Sequence, residues 1–494
     1  MKKTTPQYPC SAFLGNSDPG KRRLPDKNAR PEALVSVLGC LILCLSLSCK
    51  EKSRVNPSVT DQASAEYSLF DSYNEMITAP DNVYFDPVRI SPVGTKKKPM
   101  YHNFFYYNHT PTECLQFEPT GRYLLGMRFF MEGREVQPSD KAEIGIFDLQ
   151  NNNKWQKIGE TTAWNWQQGC RLQWIPGSFE EIMWNDHSAD GKTLITKVYS
   201  TKTKTTRIIP FPVYVTSPDG KTGLGVNYER VQHRGCKYPG VEDPYKDEWA
   251  PGNTGLWEID MSSGTLKLIV SIRDIAKVMY PDGFPADTLN RNLYFFRAGY
   301  NPSGSRIFIF VKDFQNRWGN WTIRTEGYTV QPDGTDVRYF YREPSHHCWL
   351  NDEEVLDNGY HASDGEKASL GFFRFKDDGT GQAKEKVFGA PNGHITIDRT
   401  GDWILNDASD GDGHIYLYLY HLPTRKFIPL AKLETKLGGY IYRTGLGALR
   451  CDLHPRFSHD GKTISFDSTH EEDYGRQIYL MDISAIINDP PEKD

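Results

Sequence analysis

His454-Pro455-Arg456-Phe457-Ser458-His459-Asp460-Gly461-Lys462-Thr463-Ile464-Ser465-Phe466, followed by Arg476-Gln477-Ile478-Tyr479-Leu480-Met481-Asp482, decides the fold. A short strand ends in an Asp-Gly turn, an alternating strand follows, and a third carries Ile478 and Leu480. Asp-Gly between alternating apolar runs signals a hairpin, because Gly accepts the positive φ that the turn demands. Copies recur upstream at Phe117…Gly121, Trp174…Gly177, Ser217-Pro218-Asp219-Gly220, Tyr300-Asn301-Pro302-Ser303-Gly304, Trp349…Asp352-Glu353 and Ile397…Gly401. Successive turns lie 56, 43, 84, 49, 48 and 60 residues apart. Apart from one long interval, this is close to the period of a four-stranded propeller blade.

Each copy supplies further strands. After Gly401 come Trp403-Ile404-Leu405, then His414 to Leu419, then Lys426 to Leu430. The last copy runs out after its third strand, and the apolar stretch Val83 to Val88 stands unused before the first. The expected fold is therefore all-β, a seven-bladed β-propeller whose last blade is closed by an N-terminal strand, leaving no open edge there. An array of β-sandwiches leaves the missing strand unexplained.

The 494 residues carry a net charge of −5, with 42 Gly and 31 Pro, which suits a turn-rich β protein. Nothing in this balance points to nucleic acid. Lys21, Arg22 and Arg23 precede an apolar run, Ala33 to Leu47, that ends at Ser48-Cys49. A basic region, an apolar core and a small residue describe an export signal, and Ser48-Cys49 resembles a lipobox. Residues 1–49 are read as a lipoprotein-type export signal, 50–80 as a polar tether and 81–494 as the propeller. Cys49 would then anchor a monomer to the membrane of the cell envelope, on the outer membrane surface or in the periplasm. The five later cysteines, Cys114, Cys170, Cys236, Cys348 and Cys451, are odd in number and widely spaced, a poor disulfide framework.

The long interval holds two insertions, Glu229 to Asn253 between the second and third strands of blade 3, and Ser271 to Asn292 leading into blade 4, with a short helix expected over Ile272 to Met279. Strand direction puts both on one face, and long loops on a rigid scaffold are where binding sits. The residues that begin each innermost strand share that face. Three successive blades begin it with His346, His394 and His454, each seven residues before its turn position. Three neutral imidazoles at one level can ligate a divalent metal (Ca, Mn or Zn) or form a polar site. Cys348 has the parity to join His346, and Asp452 stands beside His454. The other blades place Cys114 with His109, Gln167 and Gln168, Tyr214 and Arg297 near that level, a ring suited to a hydroxyl-rich anionic ligand. Tyr214 and Arg230 stand at the two ends of one hairpin on that face, so an arginine could favour the phenolate and make Tyr214 a base and then an acid. His233 lies just beyond Arg230.

Four segments carry a resemblance: Trp164-Asn165-Trp166-Gln167-Gln168-Gly169, Ser345-His346-His347-Cys348-Trp349, Asn392-Gly393-His394, and Cys451-Asp452-Leu453-His454-Pro455-Arg456. They resemble bacterial propeller proteins related to oligogalacturonate lyases, over most of residues 100–485. Related seven-bladed ulvan lyases and rhamnose–glucuronate lyases pair a Tyr with an Arg sixteen residues later, as Tyr214 and Arg230 stand here. Those enzymes also use two histidines ahead of the Tyr, where this sequence has Gln167 or Gln168. The resemblance implies a lyase that cleaves a uronate-containing glycan by β-elimination. Tyr214 would then be base and acid, Arg230 would neutralise the carboxylate, and His109 or Gln168 would assist. Arg297, Gln167 and His233 would bind substrate, and His346, His394 and His454 would hold a metal. The competing expectation is a non-catalytic surface propeller that binds a glycan or a partner protein.

Overall fold

The Asp-Gly hairpin of the last repeat shows how each blade starts. Ser458 N–H donates to the Thr463 carbonyl at 2.7 Å and Gly461 N–H to the Ser458 carbonyl at 3.0 Å. Asp460 accepts from the Ser458 hydroxyl and the Lys462 N–H at 2.6 and 3.1 Å. Gly461 sits at φ +73°, where a Cβ would be strained. The Ser217-Pro218-Asp219-Gly220 turn repeats the same bonds.

The computed structural model describes residues 67–92, 99–103, 115–177, 179–231, 236–315, 321–363, 366–410, 413–434, 451–471 and 475–492. Within them lie seven four-stranded antiparallel sheets, the blades of a propeller. Blade 2 is Gln173–Trp174, Glu181–His187, Leu194–Ser200 and Thr206–Ile209; blade 3 is Val215–Thr216, Thr222–Gly225, Gly255–Asp260 and Leu266–Ser271. Blade 4 is Arg291–Tyr300, Ile307–Gln315, Trp321–Val330 and Arg338–Arg342; blade 5 is Cys348–Trp349, Glu354–His361, Ser369–Lys376 and Ala383–Phe388. Blade 6 is Thr396–Ile397, Trp403–Ser409, His414–His421 and Lys426–Glu434.

Blades 1 and 7 are composite. In blade 1 the strand Tyr123–Phe129 pairs at one end with Met100–His102 and at the other through a Phe117–Leu124 bridge. In blade 7, Arg456–Phe457, Thr463–Ser468 and Gln477–Asp482 are joined at the outer edge by Val88–Arg89, with Val88 opposite Leu480. Apolar side chains fill the spaces between blades; Phe308, Tyr341, Trp349 and Phe375, for example, lie in one buried cluster.

The tether expected over residues 50–80 is shorter than its polar composition implies. Tyr73–Thr78 forms a helix capped by the Ser72 side chain. Its Tyr73 and Met76 are buried among Tyr418, Tyr420 and Phe427 of blade 6, and Phe70 exchanges backbone bonds with Phe427 at 3.0 and 2.8 Å. Burial of those two side chains decides the matter over the polar residues around them. The helix expected in the second insertion is present as Ile272–Met279, started by the Ser271 side chain.

Candidate metal and anion site

In every blade one backbone bond closes the first turn, from the N–H of residues 118, 175, 217, 301, 350, 398 and 458. Four residues earlier stands the equivalent position of each innermost strand: Arg171, Val213, Arg297, His346, His394 and His454 in blades 2 to 7. The blade 1 equivalent, Cys114, lies outside the described residues, as do His109 and His233.

The three histidines come together. Ring centroids of His346 and His394 are 4.7 Å apart, and those of His394 and His454 4.4 Å. Each is fixed locally. His394 Nδ1 lies 2.9 and 3.0 Å from the two Asp407 oxygens, and its backbone N–H also donates to Asp407. Asp407 is the cross-strand neighbour two residues past Leu405, on the second strand of the same blade. His346 Nδ1 is 2.9 Å from the Asn392 side-chain oxygen, and Asn392 donates in turn to the Ser345 hydroxyl at 2.8 Å. His454 adopts φ +44°, a left-handed conformation uncommon outside glycine, in a fully buried segment.

Asp452 completes the group. Its Oδ2 lies 3.7 Å from His394 Nε2 and 3.9 Å from His454 Nε2, and one donor atom from each of the three residues falls within 4.8 Å of the others. Ligands about 2.1 Å from one ion sit roughly 3.0–3.5 Å apart, so small side-chain shifts would let these three share a metal. The nitrogen-rich donor set suits Zn better than Ca, which takes mainly oxygen ligands. Burial works to raise the Asp407 carboxyl, but the charge and hydrogen bonds of His394, with His346 beyond, bring it down to about 2. Asp407 on Nδ1 orients the His394 ring so that Nε2 faces Asp452, the arrangement seen where a carboxylate orients a metal-binding imidazole.

A fourth imidazole, His102, was not singled out by sequence reasoning. It is packed edge-on to His454 with centroids 6.4 Å apart, and its Nδ1 lies 3.1 Å from Asp467. Burial, then the nearby Arg476, hold its pKa well below the usual histidine range. Burial also pushes up the Cys451 thiol, so Cys451 Sγ, 3.6 Å away, donates to His102 Nε2. His102 sits in the segment before the first repeat, where no turn spacing flags it. Cys348, in contrast, is sealed into a core cluster beside Leu356 and Ile397 with its thiol pushed up by burial, and does not join His346.

Tyr214 and Arg230 are not brought together as a pair. The Arg230 guanidinium donates to the carbonyls of Leu293, Tyr245, Glu248 and Trp249 and, at 2.7 Å, to Asp243. Four of its five N–H groups thus hold the insertion, and the fifth ties it to the first strand of blade 4. Tyr214 instead lies under Arg171, whose guanidinium carbon is 3.9 Å from the ring centre and whose Nε donates to the Tyr214 carbonyl at 2.8 Å. Its ring is also stacked with that of Tyr228, with centroids 6.1 Å apart. Blade 2 therefore supplies Arg171 at the equivalent level, not Gln167 or Gln168, and blade 3 supplies Val213, not Tyr214. Gln167 and Gln168 are buried in the preceding loop, where their N–H groups donate to the Asn165 side chain at 3.1 and 2.7 Å. Arg297 is where the repeat places it, and its Nη1 donates to the Ser345 carbonyl at 3.0 Å, one residue before His346.

The fold recurs among solved structures. An oligogalacturonate lyase in complex with manganese superposes with a TM-score of 0.51 at 14% identity, over 85% of this chain and 98% of that one. The β-propeller domain of the Trilobed protease from Pyrococcus furiosus gives 0.39 at 10% identity, over 76% and 92%. TolB from Acinetobacter baumannii gives 0.33 at 12% identity, over 74% and 83%. At these identities the likeness is one of fold. No protein-family model matches the chain, and no curated protein matches it significantly.

Proposed function

We propose that this protein is a lyase that cleaves a uronate-containing glycan by β-elimination, with a divalent ion held by His394, Asp452 and His454. The observation that carries this reading is the convergence of His394 and His454, both at blade-start positions, with Asp452 two residues before His454, and with Arg297 at the equivalent position two blades from His394. The manganese complex of the similarly folded oligogalacturonate lyase supports it.

In β-elimination a base takes the proton α to the carboxylate, a C=C bond forms, and the glycosidic oxygen leaves with the bonding pair from the next carbon. The α-proton is acidic only when the carboxylate charge is neutralised. A divalent ion, when bound, would act there as a Lewis acid. Arg297 supplies a guanidinium matched to a carboxylate. His346 is the half-buried imidazole of the group, and with Nδ1 held by Asn392 it presents Nε2 as the base. Arg230 has no part in this chemistry, and Tyr214 is a second candidate base.

The alternative, a glycan-binding propeller without catalysis, draws on the burial of Tyr214 and the saturation of Arg230. Incubation with uronate-containing glycans and Mn²⁺ separates the two. A lyase generates an unsaturated uronate absorbing at about 235 nm, and His346→Ala should lower the rate at least ~100-fold. Glycan binding with no such absorbance on any uronate glycan selects the non-catalytic reading.

A further inference from the structure

Lys312 lies on the second strand of blade 4, two residues beyond Phe310, the cross-strand partner of Arg297. Side chains alternate along a strand, so Lys312 and Phe310 emerge on the same face of the sheet. The Lys312 ammonium is 5.1 Å from the Phe296 ring centre and 5.3 Å from that of Phe310. The Arg297 guanidinium is 4.6 and 5.1 Å from the same two rings. Lys197 pairs with Asp186 and Lys426 with Asp71, whereas Lys386 meets the Ser369 hydroxyl. Among the described residues no carboxylate pairs with Lys312. Burial first, and then the charge of Arg297, lower its pKa to about 8. Ring faces compensate a buried cation only in part; the buried Asp357 carboxyl feels the charge of Arg297, so it is Lys312 that favours an added anion.

We infer that Lys312 joins Arg297 in a carboxylate-binding subsite beside the histidine group, which takes the acid group of the sugar unit that is cleaved. The Arg297 bond to Ser345 places this subsite adjacent to His346. That the anion is a uronate rests on the lyase reading; that the subsite takes a carboxylate does not.

The test is acetylation of the full chain with N-hydroxysuccinimide acetate at neutral pH, read lysine by lysine by peptide mass spectrometry, with sodium glucuronate or glucose present. Glucuronate should slow acetylation of Lys312 at least about threefold while glucose leaves it unchanged, and calorimetric affinity for glucuronate should fall about tenfold in Lys312→Met and stay near parent in Lys312→Arg. Lys312 acetylation indifferent to glucuronate, or parent-like affinity in Lys312→Met, overturns the inference. Protection needs no altered protein, so a misfolded variant cannot decide the result. Protection without absorbance at about 235 nm retains the subsite and removes the lyase; absorbance without protection does the reverse.

Discussion

At the scale of single residues, the site is set by which partner each imidazole has. His394 faces an ionised Asp407, whereas His102 is a neutral imidazole between Asp467 and the Cys451 thiol. The two differ in their effect on stability. His102 has its folded pKa depressed, so the unfolded chain takes up a proton that the native protein refuses. Its contribution is favourable above the ordinary histidine pKa of about 6.5 and is lost as pH falls below it, by up to ~1.4 kcal/mol per pH unit. The Asp407 carboxyl, also depressed, contributes above about 4 and loses that contribution only as pH falls toward 2. Between pH 7 and 5 the histidine effect acts alone of the two. Thermal melting across that window should therefore fall more steeply in the parent than in His102→Gln; parallel slopes would show that His102 is protonated in the native state.

At the scale of elements, the hairpin turns were readable because Asp-Gly and Ser-x-Asp-Gly specify their own backbone bonds. The site level was readable in blades 4 to 7, where a constant seven-residue offset led to Arg297, His346, His394 and His454. It failed in blade 2 because Gly177 stands two residues after Ile175, not three, which puts the seven-residue offset on Cys170 instead of Arg171. In blade 3 the same offset falls on Val213, one residue before the tyrosine that drew notice for its chemistry. The Tyr214–Arg230 pairing failed for another reason. Sequence spacing places two side chains at one end of a hairpin, but it does not count the carbonyls an insertion must satisfy. Arg230→Met would leave Asp243 and four carbonyls without that donor, and should destabilise the protein by about 3 kcal/mol or more in chemical denaturation; a change under about 1 kcal/mol would show that water replaces the guanidinium. The helix Tyr73–Thr78 was missed because six residues give too little periodicity to read. Its Met76 is fully buried, and Met76→Ala should cost at least about 2 kcal/mol by the same measurement. An unchanged midpoint would mean that the segment does not stabilise blade 6.

At the scale of the whole molecule, seven repeats of one sheet place one equivalent residue per blade at a common level, and the sequence of each blade start decides what that level does. Arginines stand there in blades 2 and 4, histidines in blades 5, 6 and 7. Val88–Arg89 lies on the outer edge of the blade that carries His454, at the opposite side of that sheet from Arg456–Phe457. The central claim is that this level gathers one divalent ion through His394, Asp452 and His454. Elemental analysis of the protein after exposure to Mn²⁺ or Zn²⁺ and exhaustive dialysis tests it most directly. About one ion per chain is expected in the parent, and less than about a tenth of that in His394→Ala and in Asp452→Asn; equal metal content in all three proteins would contradict it.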